Sequence, residues 1–255
     1  MTDQMHKAEQ FRALHVPGTP LILFNIWDAG SAKAVAGAGA RAIATGSWSV
    51  ANANGFADGE RLPLRLAMEN LRRIVDATEL PVTVDLESGY GDLPEVVAET
   101  IGLAIDAKAV GCNLEDSFPA NGSLRETADQ AARIRRARQA ADATNSRFFI
   151  NARTDVFFQR PREHHDDAML AEAIERARAY ADAGADGIFA PGLADIQLIA
   201  RLAEESPLPL NIMMGDAAPP AAALARHGVA RVSYGPQPYL LAMRALEEAA
   251  RAAQG

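Results

Sequence analysis

Asp85 and Glu87 stand two residues apart at the end of a β-branched run, Val82-Thr83-Val84, and just ahead of the glycine-punctuated loop Ser88-Gly89-Tyr90-Gly91. Residues i and i+2 of a strand point to the same face, so both carboxylates can address one spot. Two carboxylates aimed together repel unless a cation or a proton sits between them. A hard divalent cation that takes oxygen ligands, Mg2+ or Mn2+, answers that repulsion. A pair of solvated loop acids is the plainer alternative.

The elements that must position these acids repeat. Short apolar runs at 21–26, 42–45, 82–85, 110–115, 148–151, 187–190, 210–213 and 231–234 read as strands. Helical stretches follow them at 31–38, 64–77, 93–107, 127–141, 168–183, 195–205, 217–226 and 237–253. Glycine-containing turns such as Ala38-Gly39-Ala40 and Ala183-Gly184-Ala185 stop helices before buried strands. Eight β-α alternations without a linker or a break in composition predict one α/β domain over 1–255, a (β/α)8 TIM-type barrel, with 1–18 as a helical lead-in. A doubly wound open sheet is the runner-up. No Gly-x-Gly-x-x-Gly follows the first strand, which weakens a dinucleotide-binding version of it.

In such a barrel the strand ends form the active face. They supply Asn25 and Asp28, then Gly46-Ser47-Trp48 with a loop to Asp58, then Asp85 and Glu87. Glu115 and Asp116 follow, then Asn151, Arg153 and Asp155, and later Asn211. Four carboxylates, Asp58, Asp85, Glu87 and Glu115, could surround one cation. Arg153 is the arginine that closes a strand run here, and a guanidinium pairs bidentately with a carboxylate or phosphonate. Asp28 ahead of Ala-Gly-Ser reads first as a helix N-cap. Asn25 and Asn211 could equally satisfy backbone groups, and Cys112 reads as a small core residue. Among the histidines only His164 and His165 fall where catalysis is conceivable.

Composition narrows the classes. At 255 residues the chain can bury a substantial core. A net charge of −8 without a basic run argues against nucleic acid and anionic membrane surfaces. A single cysteine forms no internal disulfide and fits a reducing cytoplasm, and no apolar run reaches the length of a membrane span. Lys7, Lys33 and Lys108 all lie away from strand C-termini, which disfavours a Schiff-base aldolase.

These residues resemble the isocitrate lyase / phosphoenolpyruvate mutase superfamily from Pro17 to about Gly235. Gly46-Ser47-Trp48-Ser49-Val50 with Gly55-Phe56-Ala57-Asp58 is similar to its second-strand segment. Asp85-Leu86-Glu87-Ser88-Gly89-Tyr90-Gly91 resembles its Asp-x-Asp-Thr-Gly-Tyr-Gly. Asn113-Leu114-Glu115-Asp116 resembles its Ile-Glu-Asp, and Ala152-Arg153-Thr154-Asp155 its Ala-Arg-Thr-Asp. The resemblance implies a Mg2+ enzyme that handles 2-oxo acids through an enolate. Asp85 would be the direct metal ligand, with Asp58, Glu87 and Glu115 acting mostly through bound waters. Arg153 and the Gly46-Ser47-Trp48 segment would anchor the substrate's acid group, Arg153 and Glu115 would serve catalysis, and Asn211 would face the substrate's distal end.

Departures from the pattern bear on the reaction. The lyases of the group carry a Lys-x-Cys-Gly-His type loop after strand four, and the phosphonomutases place a lysine and an asparagine there. Here the loop reads Ser117-Phe118-Pro119-Ala120-Asn121-Gly122-Ser123-Leu124, without Cys, Lys or His. The leading expectation is a slow carbon–carbon lyase that takes an isocitrate- or 2-methylisocitrate-like 2-hydroxy di- or tricarboxylate and releases pyruvate or glyoxylate. Oxaloacetate decarboxylation or phosphonopyruvate chemistry on the same site is the second. A 2-oxo acid binding protein that has lost catalysis is the third. Residues 117–127 are expected to form a lid over a small carboxylate substrate. The last helix, with Leu240, Leu241, Met243 and Leu246, is expected to pack against a partner in a homodimer or homotetramer.

Overall fold

The computed structural model of the protein describes residues 2–144, 146–215 and 218–255. Eight parallel strands form a barrel: β1 (Leu21–Leu23), β2 (Ile43–Ala44), β3 (Val82–Asp85), β4 (Gly111–Glu115), β5 (Phe149–Arg153), β6 (Gly187–Phe189), β7 (Leu210–Met213) and β8 (Arg231–Ser233). They pair in the order β1-β8-β7-β6-β5-β4-β3-β2. The seam between β1 and β2 closes through a single bridge, Ile26 to Thr45. There Ile26 N donates to Ala44 O at 2.8 Å, and Gly46 N to Ile26 O at 3.2 Å. The expected TIM-type barrel is therefore the observed fold.

The helices are α1 (Asp3–Ala13), α2 (Ala29–Gly37), α3 (Ser47–Ala53), α4 (Leu64–Val75), α5 (Pro94–Asp106), α6 (Thr127–Ala143), α7 (Asp167–Asp182), α8 (Ile196–Glu205), α9 (Ala221–Arg226) and α10 (Gln237–Gln254). Strands walled on both faces read as unbroken apolar runs, because helices cover the outside while the barrel interior fills the inside. In α4 the apolar stripe Met68, Leu71 and Ile74 is the part that is buried. Asp28 caps α2 as expected: its Oδ1 accepts from Ser31 N at 2.7 Å, and Ser31 Oγ accepts from Asp28 N at 3.1 Å.

Several local expectations are corrected. The segment read as a strand end at Thr45-Gly46-Ser47-Trp48 followed by a loop to Asp58 contains α3, so Ser47 and Trp48 sit in a helix's first turn. The β5 run extends through Arg153, two residues further than expected. Short 3₁₀ turns at Val156–Phe158 and Arg162–His164 were not foreseen. The helix expected over 217–226 starts at Ala221; Ala217 itself lies outside the described residues.

At its N-terminal end the barrel is plugged by Ala8 and Phe11 of α1, which pack with Leu21, Leu23, Val110 and Phe149. His15, just after α1, is buried there and stacks on Phe149 with ring centroids 4.2 Å apart. Its Nδ1 lies 2.8 Å from Phe11 O, while Nε2 has no partner among the described residues. Burial, then the charge of Arg231, pushes this imidazole down to about 3. The unfolded chain takes up that proton near 6.5, so the stability from neutral His15 is complete above that pH and drains away as pH falls toward 3. Denaturant titrations from pH 7 to 4 should show the wild type losing up to about 1.4 kcal/mol per pH unit more than His15→Gln. Parallel slopes would show that the fold tolerates the charged ring.

Candidate active site

A cavity of about 200 Å³ opens at the C-terminal ends of the strands. Its polar side holds Ser47, Asp58, Asp85, Asn113, Arg153 and Ser233, and its apolar side Trp48, Phe158, Phe189, Pro191, Met213 and Pro236. Gly46 also lines it. A narrower cleft beside it is bounded by Ser47, Asp85, Glu87 and Tyr90.

Asp85 ends β3 and is fixed from two sides. Its N–H donates to Thr45 Oγ1 at 2.9 Å, and its Oδ2 accepts from Ser47 N at 3.3 Å. Glu87 turns away from the main cavity toward the loop after α3. There Glu60 N donates to Glu87 Oε2 at 2.6 Å, while Glu60 Oε1 accepts from Ser88 Oγ at 2.7 Å and from Tyr90 N at 2.8 Å. This exchange clasps the Asp58–Glu60 turn to the loop after β3 and sets Asp58 at the mouth. The clasp holds left-handed backbone at Glu60 (φ 60°), Glu87 (φ 51°) and Tyr90 (φ 60°). Between them Gly89 takes φ 102°, which side-chain-bearing residues rarely adopt, and a Cβ there would crowd Leu114 and Val97 at 3.1 Å.

The electrostatics are those of carboxylates crowded away from water. Burial, then Asp58, with Asp85 adding to it, pushes the Glu87 carboxyl up to about 8. Asp58 is held above its ordinary range by desolvation and by Asp85. Burial raises Glu115 as well, with Arg153 opposing. Arg153 Nη1 pairs with Glu115 Oε2 at 2.7 Å, and its Nε and Nη2 reach the two oxygens of Asp155 at 2.6 and 3.0 Å. Ser117 Oγ lies 2.6 Å from Asp155 Oδ2 and 3.2 Å from Glu115 Oε1. Arg153 also lines the cavity, where its five-donor guanidinium keeps hydrogen-bonding capacity beyond the two bonds to Asp155.

One layer deeper the barrel is polar. Arg231 is 1% exposed and its Nη2 donates to Asn113 Oδ1 at 3.1 Å; Asn151 Nδ2 donates to the same oxygen at 2.9 Å. Arg231 Nε and Nη1 have no partner among the described residues. Burial pushes this guanidinium down to about 9, with Asp85 the first charge that opposes the shift.

Of the residues expected in the site, Gly46, Ser47, Trp48, Asp58, Asp85 and Arg153 line the cavity. Glu87 borders the adjoining cleft, and Glu115 stands behind Arg153. Asn211 does not line the cavity: it is buried and its amide faces Ser233 Oγ at 3.2 Å. Asn25 lines the cavity and also satisfies backbone, its Nδ2 donating to Thr45 O at 2.8 Å and its Oδ1 accepting from Tyr234 N and Gly235 N at 2.9 Å. Asp116 is tied to Tyr180 at 2.8 Å and Arg176 at 3.1 Å, and His164 and His165 do not line the cavity. Asn113, Ser233, Arg231 and Glu60 are not among the site residues expected from the sequence. The spacing of two between Asn113 and Glu115, and between Arg231 and Ser233, was the available signal for three of them.

Among the described residues no three His, Cys, Asp or Glu side chains converge closely enough to ligate one ion directly. The donor set still fits a hard cation. Its oxygens are all carboxylate, they repel one another, and among these acids Asp85 borders both the cavity and the cleft.

The phosphoenolpyruvate phosphomutase family model matches residues 11–254. The chain belongs to this family. Its members are lyases and mutases of the isocitrate lyase / phosphoenolpyruvate mutase superfamily. A crystal structure from Burkholderia cenocepacia, provisionally named a phosphonomutase, is 58% identical with a TM-score of 0.96, covering 98% of this chain and 99% of that one. An uncharacterised Mycobacterium tuberculosis protein is 36% identical over 95% of this chain and 88% of its own length. The 2-methylisocitrate lyase of Escherichia coli is 30% identical over 78% of this chain and 67% of the enzyme.

Removing the Arg153 charge should leave Glu115 and Asp155 buried without a counterion. Arg153→Met should therefore cost about 3–5 kcal/mol in denaturant unfolding, and adding Glu115→Gln should recover part of it. Equal losses in the single and double variants would show that the ion pairs do not govern this region.

Proposed function

We propose that the protein is a Mg2+-dependent lyase that cleaves the carbon–carbon bond beside the hydroxyl-bearing carbon of a 2-hydroxy acid and releases a 2-oxo acid. The observation that carries this is one small cavity lined by Asp85, Asp58, Ser47 and the Arg153 guanidinium, with the Ser47 amide donating to Asp85. In such a cleavage the hydroxyl loses its proton and becomes the 2-oxo oxygen as the bond breaks. The bonding pair ends as an enolate on the other fragment, which then takes up a proton. Asp85 would hold the ion directly, with Asp58, Glu87 and Glu115 reaching it through waters; when bound, Mg2+ supplies positive charge for the oxygens where negative charge develops. Arg153 binds a substrate carboxylate, and Glu115 and Asp155 orient it. The apolar walls exclude water from the reacting carbons. The family membership and the relationship to a 2-methylisocitrate lyase support the reading.

Decarboxylation of a 2-oxo diacid on the same groups is the second reading. The described cavity lining has no His, Cys or Lys to move a hydroxyl proton, and loss of CO2 forms an enolate without one. For either reaction, Asp85→Ala should abolish Mg2+ binding, followed by isothermal titration, and metal-dependent release of 2-oxo acid. Undiminished, metal-dependent turnover in that variant would sink the site assignment.

A second copy of the chain is the proposed partner. The outer face of β1 is bare: Ile22 is 40% and Phe24 38% exposed, beside a groove shared with Val35, Ala38 and Ala40 of the α2 region. The helix after β8 should cover such a face, yet α10 meets the barrel near its start, where Tyr239 packs edge-on against Trp27 and Trp48. From Arg244 onward α10 is exposed, and it carries Leu241 and Leu246, 64% and 63% exposed. An α10 exchanged between two copies would bury both surfaces. Leu241→Glu with Leu246→Glu should therefore lower the mass measured by light scattering, whereas an unchanged mass would exclude α10 from the interface.

A further inference from the structure

Resting on the lyase reading above, we infer that the substrate is a malate-type diacid with an apolar substituent and no third carboxylate. The constraint is a count of positive charge. Among the described residues Arg153 is the one Lys, Arg or His side chain lining the cavity, and its guanidinium already pairs with Glu115 and Asp155. It can take one carboxylate, and the Asp85 side with its ion takes the acid group on the hydroxyl-bearing carbon. Nothing is left for a third.

Elements that could bring another cation do not. The 117–127 loop holds one basic residue, Arg125, which is buried, pairs with Asp92 at 2.7 Å and lies over the Phe118 ring at 4.0 Å. That loop carries Asn121, whose side chain faces Ser123 rather than the cavity. Arg231 lies below the cavity floor and reaches it only through Asn113. Arg160, on the segment after β5, is exposed and pairs with Asp166 at 3.6 Å.

The rest of the wall has its own chemistry. Phe158, Phe189, Pro191, Met213 and Pro236 form a continuous apolar side. Phe158 and Phe189 stand 5.8 and 6.0 Å from the Arg153 guanidinium carbon, so the apolar surface begins where the carboxylate site ends. A carboxylate pressed against it would be desolvated without a partner, whereas each buried CH2 gains about 0.8 kcal/mol. This separates the chain from enzymes acting on tricarboxylates such as 2-methylisocitrate, despite the shared acids.

The test uses a matched pair. 3-Isobutylmalate and isocitrate share a skeleton and a similar shape, and differ in a terminal isopropyl group where isocitrate has a carboxylate. With Mg2+ present, calorimetry and product release on the assembled protein should show 3-isobutylmalate favoured at least tenfold. Phe158→Arg should narrow or reverse that gap by giving the third carboxylate a partner, and a gap unchanged in this variant would count against the wall assignment. Pyruvate with and without Mg2+ is the control for the parent reading. If pyruvate binds in a metal-dependent way but isocitrate is handled as well as 3-isobutylmalate, the substituent inference alone is overturned. If neither pyruvate nor any malate binds with Mg2+, the lyase reading falls and takes the inference with it.

Discussion

Negative charge collected where water is scarce is the constraint to which the rest of the barrel mouth answers. Asp58, Asp85, Glu87, Glu115 and Asp155 converge there, and the charges facing them are Arg153 and, a layer down, Arg231. Such groups persist in a folded interior only when each lone pair finds a donor. The structure supplies them one by one: the Ser47 amide for Asp85, the Glu60 amide for Glu87, and Arg153 with Ser117 for Glu115 and Asp155. The excess left over is what a bound divalent cation would relieve, and it makes the same spot attractive to a developing oxyanion once that cation is present.

Holding acids this close also requires strained backbone. Glu60, Glu87 and Tyr90 all take left-handed conformations, a cost of roughly 1–3 kcal/mol each that persists only where the surroundings over-determine it. The mutual hydrogen bonds of Glu60 and the loop after β3 do that from above. From below, the guanidinium of buried Arg133 in α6 donates to the carbonyls of Ser88 and Gly91. Asp58 and Asp85 are thereby held in one rigid unit although 26 residues of chain lie between them.

The seam of the barrel shows the same economy. β1 and β2 are too short to share a ladder, so Asn25 substitutes its side chain for missing backbone bonds to β2 and to the end of β8. The outer face of that seam is left apolar and open, and α10 leaves the barrel instead of covering it. The catalytic end and the proposed oligomeric contact are thus joined through residues 24–27 and Tyr239, since Trp48 of the cavity wall touches Tyr239 at the root of α10.

The sequence by itself determined the fold class and the acids. Strands buried on both faces leave unbroken β-branched runs, glycine turns mark the helix stops, and the i, i+2 spacing of Asp85 and Glu87 was readable without coordinates. The family pattern was legible for the same reason, because its motifs are short and local. Tertiary structure decided the rest. Glu87 shares a face with Asp85 on paper, but left-handed backbone turns its carboxylate to the Glu60 amide. Asn211 was expected at the substrate, yet Ser233 stands between it and the cavity. Arg231 and Asn113 meet across the barrel 118 residues apart, and Phe158, Phe189, Pro191 and Met213 become one wall only when three strand ends converge. Periodicity encodes which face a side chain takes on its own element; which side chains meet inside a closed barrel depends on register and shear between strands, and no local pattern carries that.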